Sequence, residues 1–177
     1  KGASGKSVGM ADGQTIAING GAFSDATGNA FDIPEGKYLT KGADGLYSLK
    51  DITVLNTTTN ETYTALAEAA EAARAGDTLK MVKSDTIGAT VAIAKELTLD
   101  LNGQTVTSTV ATAINVKGSG TLTIQDNSEG GEGKIYRDEY TGTGGVWDGM
   151  IRTDNAGAIK LEGGTLEATS GYVATLY

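Results

Sequence analysis

Few kinds of residue in this chain can do chemistry. Its 177 residues include no His and no Cys. That removes Ser-His-Asp and Cys-His devices, thiol nucleophiles, metal sites built on His or Cys, and disulfides. Candidate ligand contacts gather in one segment, about 125–150, where Tyr136, Arg137, Tyr140 and Trp147, the single Trp, mix aromatic faces with polar partners. Such a set stacks on sugar rings or on a protein surface. The competing reading is packing, with Ile135, Tyr136, Val146, Trp147 and Ile151 along the flank of a core and Gly142, Gly144 and Gly145 as turns. Thr105/Thr107 and Thr121/Thr123 are Thr-x-Thr pairs, a pattern suited to ice only when it continues as a flat array. Asn56 and Asn60 head Asn-x-Thr sequons, which matter in a glycosylating host. The Asn-Gly and Gly-Gly steps read as turns, since no Gly-rich loop leads into Lys-Ser/Thr after a strand.

The charge is −8, which argues against nucleic acid or an anionic membrane as partner. No apolar run approaches a membrane span. No signal peptide is visible, so the chain is expected to start after a processing site or inside a longer protein.

The elements that must position these residues are strands. Gly accounts for 26 residues and Pro for 1, and Thr, Val and Ile suit pleated strands joined at Gly turns. An Ile-x-aliphatic pattern followed by Gly recurs at Ile16/Ile18, at Ile114/Val116 before Leu122, and at Ile159/Leu161 before Leu166. Leu97/Leu99/Leu101 before Asn102-Gly103 and Val106 is a looser version. Leu97 and Leu122 lie 25 residues apart, and Ile114 and Ile159 lie 45 apart, near two such intervals. A recurrence in the low twenties predicts stacked coils, one turn of chain per repeat. A β-sandwich with Gly-rich hairpins is the alternative.

One helix is predicted over about 63–75 (YTALAEAAEAARA). Leu66, Ala69, Ala70 and Ala73 form its apolar stripe, with Thr64 as N-cap, Arg74 near the negative end and Gly76 at C′. Its expected task is to cover the open end of the first coil. A hairpin is predicted over about 37–49, turning around Ala43-Asp44-Gly45 after a Pro34-Glu35-Gly36 turn, as the closing cap of a stack.

Taken together, ALAEAAEAARAGDTLKMVKSD, ELTLDLNGQTV, AINVKGSGTLTIQD and AIKLEGGTLEA resemble the right-handed parallel β-helix modules of large bacterial surface proteins, which are similar in fold to pectate lyases. The motifs that carry this are Gly76-Asp77-Thr78 after the helix, Leu99-Asp100-Leu101-Asn102-Gly103, Gly163-Gly164-Thr165-Leu166, and INGGAF (18–23) before a hairpin ending Leu46-Tyr47-Ser48-Leu49. The resemblance implies an all-β fold, a right-handed parallel β-helix with one cap helix and a closing hairpin. It also implies a place to look for catalysis, because lyases of this fold use clustered Asp with Ca²⁺ and an Arg or Lys base. The acidic candidates are Asp100, Asp126, Asp138, Asp148 and Asp154, with Arg137 and Arg152 as bases. Their spacing does not stack them on successive coils, so they read as solvated acidic surface. No catalytic, cofactor-binding or metal-binding residue is expected.

Closing signals lie at 15–50 and opening signals at 60–101. The chain is therefore expected to hold the closing coil and cap hairpin of one module (1–50), then the cap helix and opening coils of the next (51–177). In the order 51–177 then 1–50 it reads as one complete module. Residues 15–50 would then cap 158–177 of a neighbouring copy, or of the same fold by closure. The expected function is structural: an extracellular, cell-surface or secreted adhesin-like module that assembles head to tail with copies of itself into filaments, or serves as one period of a tandem array. The alternative is a carbohydrate-binding or lyase-like protein that meets glycans through 125–150. Neither reading involves nucleic acid or membrane insertion.

Overall fold

The computed structural model describes residues 15–24, 31–138 and 149–176. The chain divides into two compact units, Lys1–Ile52 and Thr53–Tyr177. In the first unit, β1 (Ile16–Ala17) pairs in parallel with β3 (Phe31–Asp32), and β2 (Ala22–Phe23) pairs antiparallel with β5 (Tyr47–Asp51). β4 (Lys37–Lys41) and β5 form the expected hairpin, with Leu39 opposite Leu49. Gly45, at φ +78°, takes the left-handed step of its turn. The Asp44 carboxylate accepts the Leu46 N–H at 3.0 Å, a side-chain turn typical of Asp. Phe23 and Phe31 pack with ring centroids 5.9 Å apart.

The second unit opens with a hairpin, β6 (Val54–Asn56) and β7 (Glu61–Tyr63), and the helix α1 (Leu66–Ala72). The chain then visits three sheets in rotation. Its passes are β8 (Asp77–Met81), β9 (Asp85–Ile87), β10 (Val91–Ile93); β11 (Glu96–Asp100), β12 (Thr105–Ser108), β13 (Ile114–Val116); β14 (Thr121–Gln125), β15 (Lys134–Arg137), β16 (Gly149–Thr153); and β17 (Ala158–Leu161), β18 (Thr165–Ala168), β19 (Tyr172–Leu176). Every third strand pairs in parallel, giving ladders β8-β11-β14-β17, β9-β12-β15-β18 and β10-β13-β16-β19.

Alternation along each strand sends one row of side chains inward. In the first ladder Leu79, Leu99, Ile124 and Leu161 align, as do Leu97, Leu122 and Ile159. In the second, Val106, Ile135 and Leu166 align, and in the third, Val91, Ile114 and Ile151. Most of these side chains are fully buried, each contributing about 1.5–3 kcal/mol. The space beneath α1, lined by Leu66, Ala70, Leu79, Ile93, Leu97 and Ile114 among others, belongs to this aliphatic interior.

The Leu97–Leu122 spacing is a true register. The Ile114–Ile159 spacing is not, because Ile114 aligns with Ile151 in the third ladder and Ile159 with Leu122 in the first. The segment 125–150, read for ligand contacts, contains β15, which pairs on both sides. The helix is shorter than 63–75, and its caps differ from those expected. Its N-cap is Ala65, without a side-chain bond. The Asp85 carboxylate of β9 accepts the Leu66 N–H at 2.8 Å, while Glu68 reaches back to the Thr64 N–H and hydroxyl. At the other end Lys95, rather than Arg74, donates to the Glu71 and Ala73 carbonyls, which places a cation on the negative pole. Gly76, at φ +86°, lies beyond the Ala73 C-cap and leads into β8. The outer edge of β8 is covered by β6, antiparallel with Val54 opposite Met81. A strand therefore closes that ladder, and α1 buries Leu66, Ala69 and Ala70 over the interior.

Candidate functional site

The described part of 125–150 supplies structure through β15. β15 turns Ile135 and Arg137 inward and leaves Tyr136 half-buried on the outer face. Arg137 is 2% exposed. Its guanidinium donates to the carbonyls of Ala111, Ser170 (2.7 Å) and Tyr172 (3.2 Å). One fork thus ties β15 to the loop after β12, the loop after β18 and the start of β19. Tyr136 stands in register between Thr107 and Glu167, and the Lys134 ammonium lies 4.9 Å from its ring centroid. Burial pushes the Tyr136 phenol up, with Asp138 and Glu167 adding to the rise. Tyr140 and Trp147 lie outside the described residues, as does Asp148.

Among the described residues, the acidic candidates are spent on separate hydrogen-bond sets. Asp100 accepts the N–H groups of Asn102 (3.0 Å) and Asn127 (3.1 Å), together with the Asn127 side-chain amide. Asp126 accepts the N–H groups of Gly103, Ser128 and Gly133. Burial pushes the Asp126 carboxyl up, but these donors outweigh it and hold it below the usual carboxylate value. Both residues thus fasten the corner between the first and second ladders from one pass to the next. Asp154 follows the end of β16 in the third ladder. The Asn115 amide, 2.7 Å away, does most to hold its carboxyl low, and Arg152 adds to this at 3.2 Å. Asp138 accepts the Thr169 hydroxyl at 3.4 Å. Among the described residues, no group of three or more acidic side chains is arranged to hold a metal ion, and no helix is long and apolar enough to cross a membrane.

The remaining sequence candidates separate in the same way. Thr105/Thr107 and Thr121/Thr123 fall on different ladders. Asn56 is 1% exposed and donates to Asp77. Asn60 is exposed.

The feature that stands open is the last pass. β17, β18 and β19 each close a ladder, with no further strand among the described residues. Their apolar side chains reach solvent: Leu161 is 52% exposed, Tyr172 50% and Leu176 75%. Bare parallel edges beside exposed Leu are a template for further strands. This is the segment, 158–177, that residues 15–50 were expected to cap, and the ladder order places its strands at the ends of all three ladders. No family model, no curated protein and no solved structure matches the chain.

Proposed function

We propose that this chain is a structural module of an extracellular bacterial surface or filament protein. In this reading its passes wind as a right-handed parallel β-helix akin to pectate-lyase-like surface modules. Copies join head to tail by stacking coil on coil, as separate chains or as periods of a tandem array. The single observation that carries the reading is the uncovered last pass. Right-handedness is supported by the strong preference of parallel crossovers for that hand. A head-to-tail contact uses two different surfaces, so it propagates into a filament unless it closes into a ring. The work falls to ladders and aliphatic rows, and no residue is assigned a catalytic role.

The test is sedimentation velocity over a concentration series, with electron microscopy of the same samples. Wild type should grow into species of rising length. A Leu161→Glu/Leu176→Glu variant should keep its circular dichroism and stay monomeric. Wild type that stays monomeric at every concentration would remove the reading.

A further inference from the structure

We propose that the last pass receives residues 16–23 of a second copy in one defined register. β1 lies along β17 and β2 along β18, with Ile16 beside Ile159, Ile18 beside Leu161, Gly21 beside Gly164 and Phe23 beside Leu166. The inference rests on the head-to-tail reading above and names the segment and register that carry it.

Three observations converge on it. The first is the corner itself. Ile16-Ala17-Ile18-Asn19-Gly20-Gly21-Ala22-Phe23 and Ile159-Lys160-Leu161-Glu162-Gly163-Gly164-Thr165-Leu166 share length, aliphatic positions, the Gly-Gly step and the large apolar residue after it. The corresponding corners from Leu97 to Val106 and from Leu122 to Ile135 are longer. The backbones agree as well, since Gly21 has φ +98° and Gly164 φ +81°.

The second is the use of the first glycine in each pair. A Cβ on Gly163 would fall 2.9 Å from the Asp126 nitrogen of the preceding pass, so that glycine is set by close backbone approach. Gly20 matches it in sequence and has no positive φ to require glycine. Among the described residues nothing lies within 4 Å of where its Cβ would be. A preceding pass supplied by another copy gives Gly20 the same close neighbour.

The third is polarity of the edges. β14 holds one edge of β17, and β3 holds one edge of β1. The first ladder ends at β17 and the other begins at β1, and both are parallel, so the free edges are complementary. This continues the existing ladder spacing. It sets Ala17 against Lys160 and Asn19 against Glu162, so no like charges meet.

The chain has no Cys, which permits a clean cross-linking experiment. Ala17→Cys and Lys160→Cys chains, both changed at exposed positions, are mixed and oxidised. Adjacent strands lie about 4.8 Å apart, within the Cα separation a disulfide spans. The expected product on a non-reducing gel is a covalent dimer holding one chain of each kind. Asn19→Cys with Glu162→Cys should link as well, which protects the result against a misfolded first variant. Ala17→Cys with Glu162→Cys stands two residues out of register, about 8 Å apart, and should lose the link. Association by sedimentation with linkage only in the shifted pair, or with no linkage, overturns the register and leaves the assembly reading standing. An internal bond in monomeric Ala17→Cys/Lys160→Cys chains overturns the second copy as occupant. No association at any concentration overturns both.

Discussion

Ile124 and Leu161 are neighbours in one ladder, with similar side chains at the same inward register position. Ile124 is fully buried and Leu161 is 52% exposed. The same holds in the third ladder, where Val116 is buried and Leu176, one step beyond Thr153, is 75% exposed. Residue type and strand geometry are alike, so the contrast comes from position in the stack. An inward side chain here is covered by the passes on either side of it. A terminal pass holds half of an interior, and its stabilisation waits on a neighbour.

This contrast can be tested at several strengths. Ile124→Ala should destabilise the second unit by about 3 kcal/mol, through lost transfer energy and a cavity. Leu161→Ala should cost below about 1 kcal/mol in the dilute chain, because that side chain is already half in water. Urea unfolding followed by circular dichroism measures both, and equal losses would erase the distinction. Arg137→Ala should cost about 2–3 kcal/mol by stripping the carbonyls of Ala111, Ser170 and Tyr172 of their donor. Arg137→Lys should recover only part, since an ammonium lacks the fork.

Gly164→Ala combines a positive φ with a Cβ 2.7 Å from Leu101 Cδ1, so about 2 kcal/mol of destabilisation is expected. Among the described residues Gly21→Ala meets nothing closer than Phe23 Cζ at 3.8 Å, and it should cost only the backbone penalty, about 1 kcal/mol. Thermal melts of the two variants side by side check the difference.

The smallest effect is on pH. The Arg74 N–H first, and then the Asn56 amide, hold the Asp77 carboxyl low against the opposing pull of burial. Asp126 is held low as well. Carboxylates with depressed folded values stabilise fully above their ordinary value of 3.8. They lose that contribution as the pH falls through the folded values. The urea midpoint should therefore begin to drop as the pH falls below about 4 and go on dropping through the folded values, and Asp126→Asn should flatten part of the slope.

The strands, the β4/β5 hairpin and the Leu97–Leu122 register were legible in the sequence because alternation and turn residues are local signals. The Ile114–Ile159 pairing misled for a physical reason. Ile-x-aliphatic followed by Gly marks any strand running into a tight turn, and it says nothing about which ladder the strand joins. The helix ends were illegible because their caps come from Asp85 and Lys95, which lie outside the helical segment. Arg137 looked like a surface contact because its partners are main-chain carbonyls, which have no signature in sequence. The last pass was legible as a place to be capped, but the exposure of Leu161 and Leu176 was not, since exposure depends on what stacks above a strand.

The corner that Asp126 fastens also bears on how the protein ages. An Asn-Gly step is prone to deamidation, in which the glycine nitrogen attacks the preceding side-chain carbonyl and closes a succinimide ring. At Asn102-Gly103 that nitrogen donates its proton to Asp126 at 2.8 Å, and the Asn102 amide is tied to the Met81 carbonyl at 2.9 Å. Both reacting groups are engaged by the passes on either side. Peptide mass spectrometry after long incubation should find Asn102 intact in the folded protein and converted in the unfolded chain, so stacking guards the covalent integrity of the corner as well as its shape.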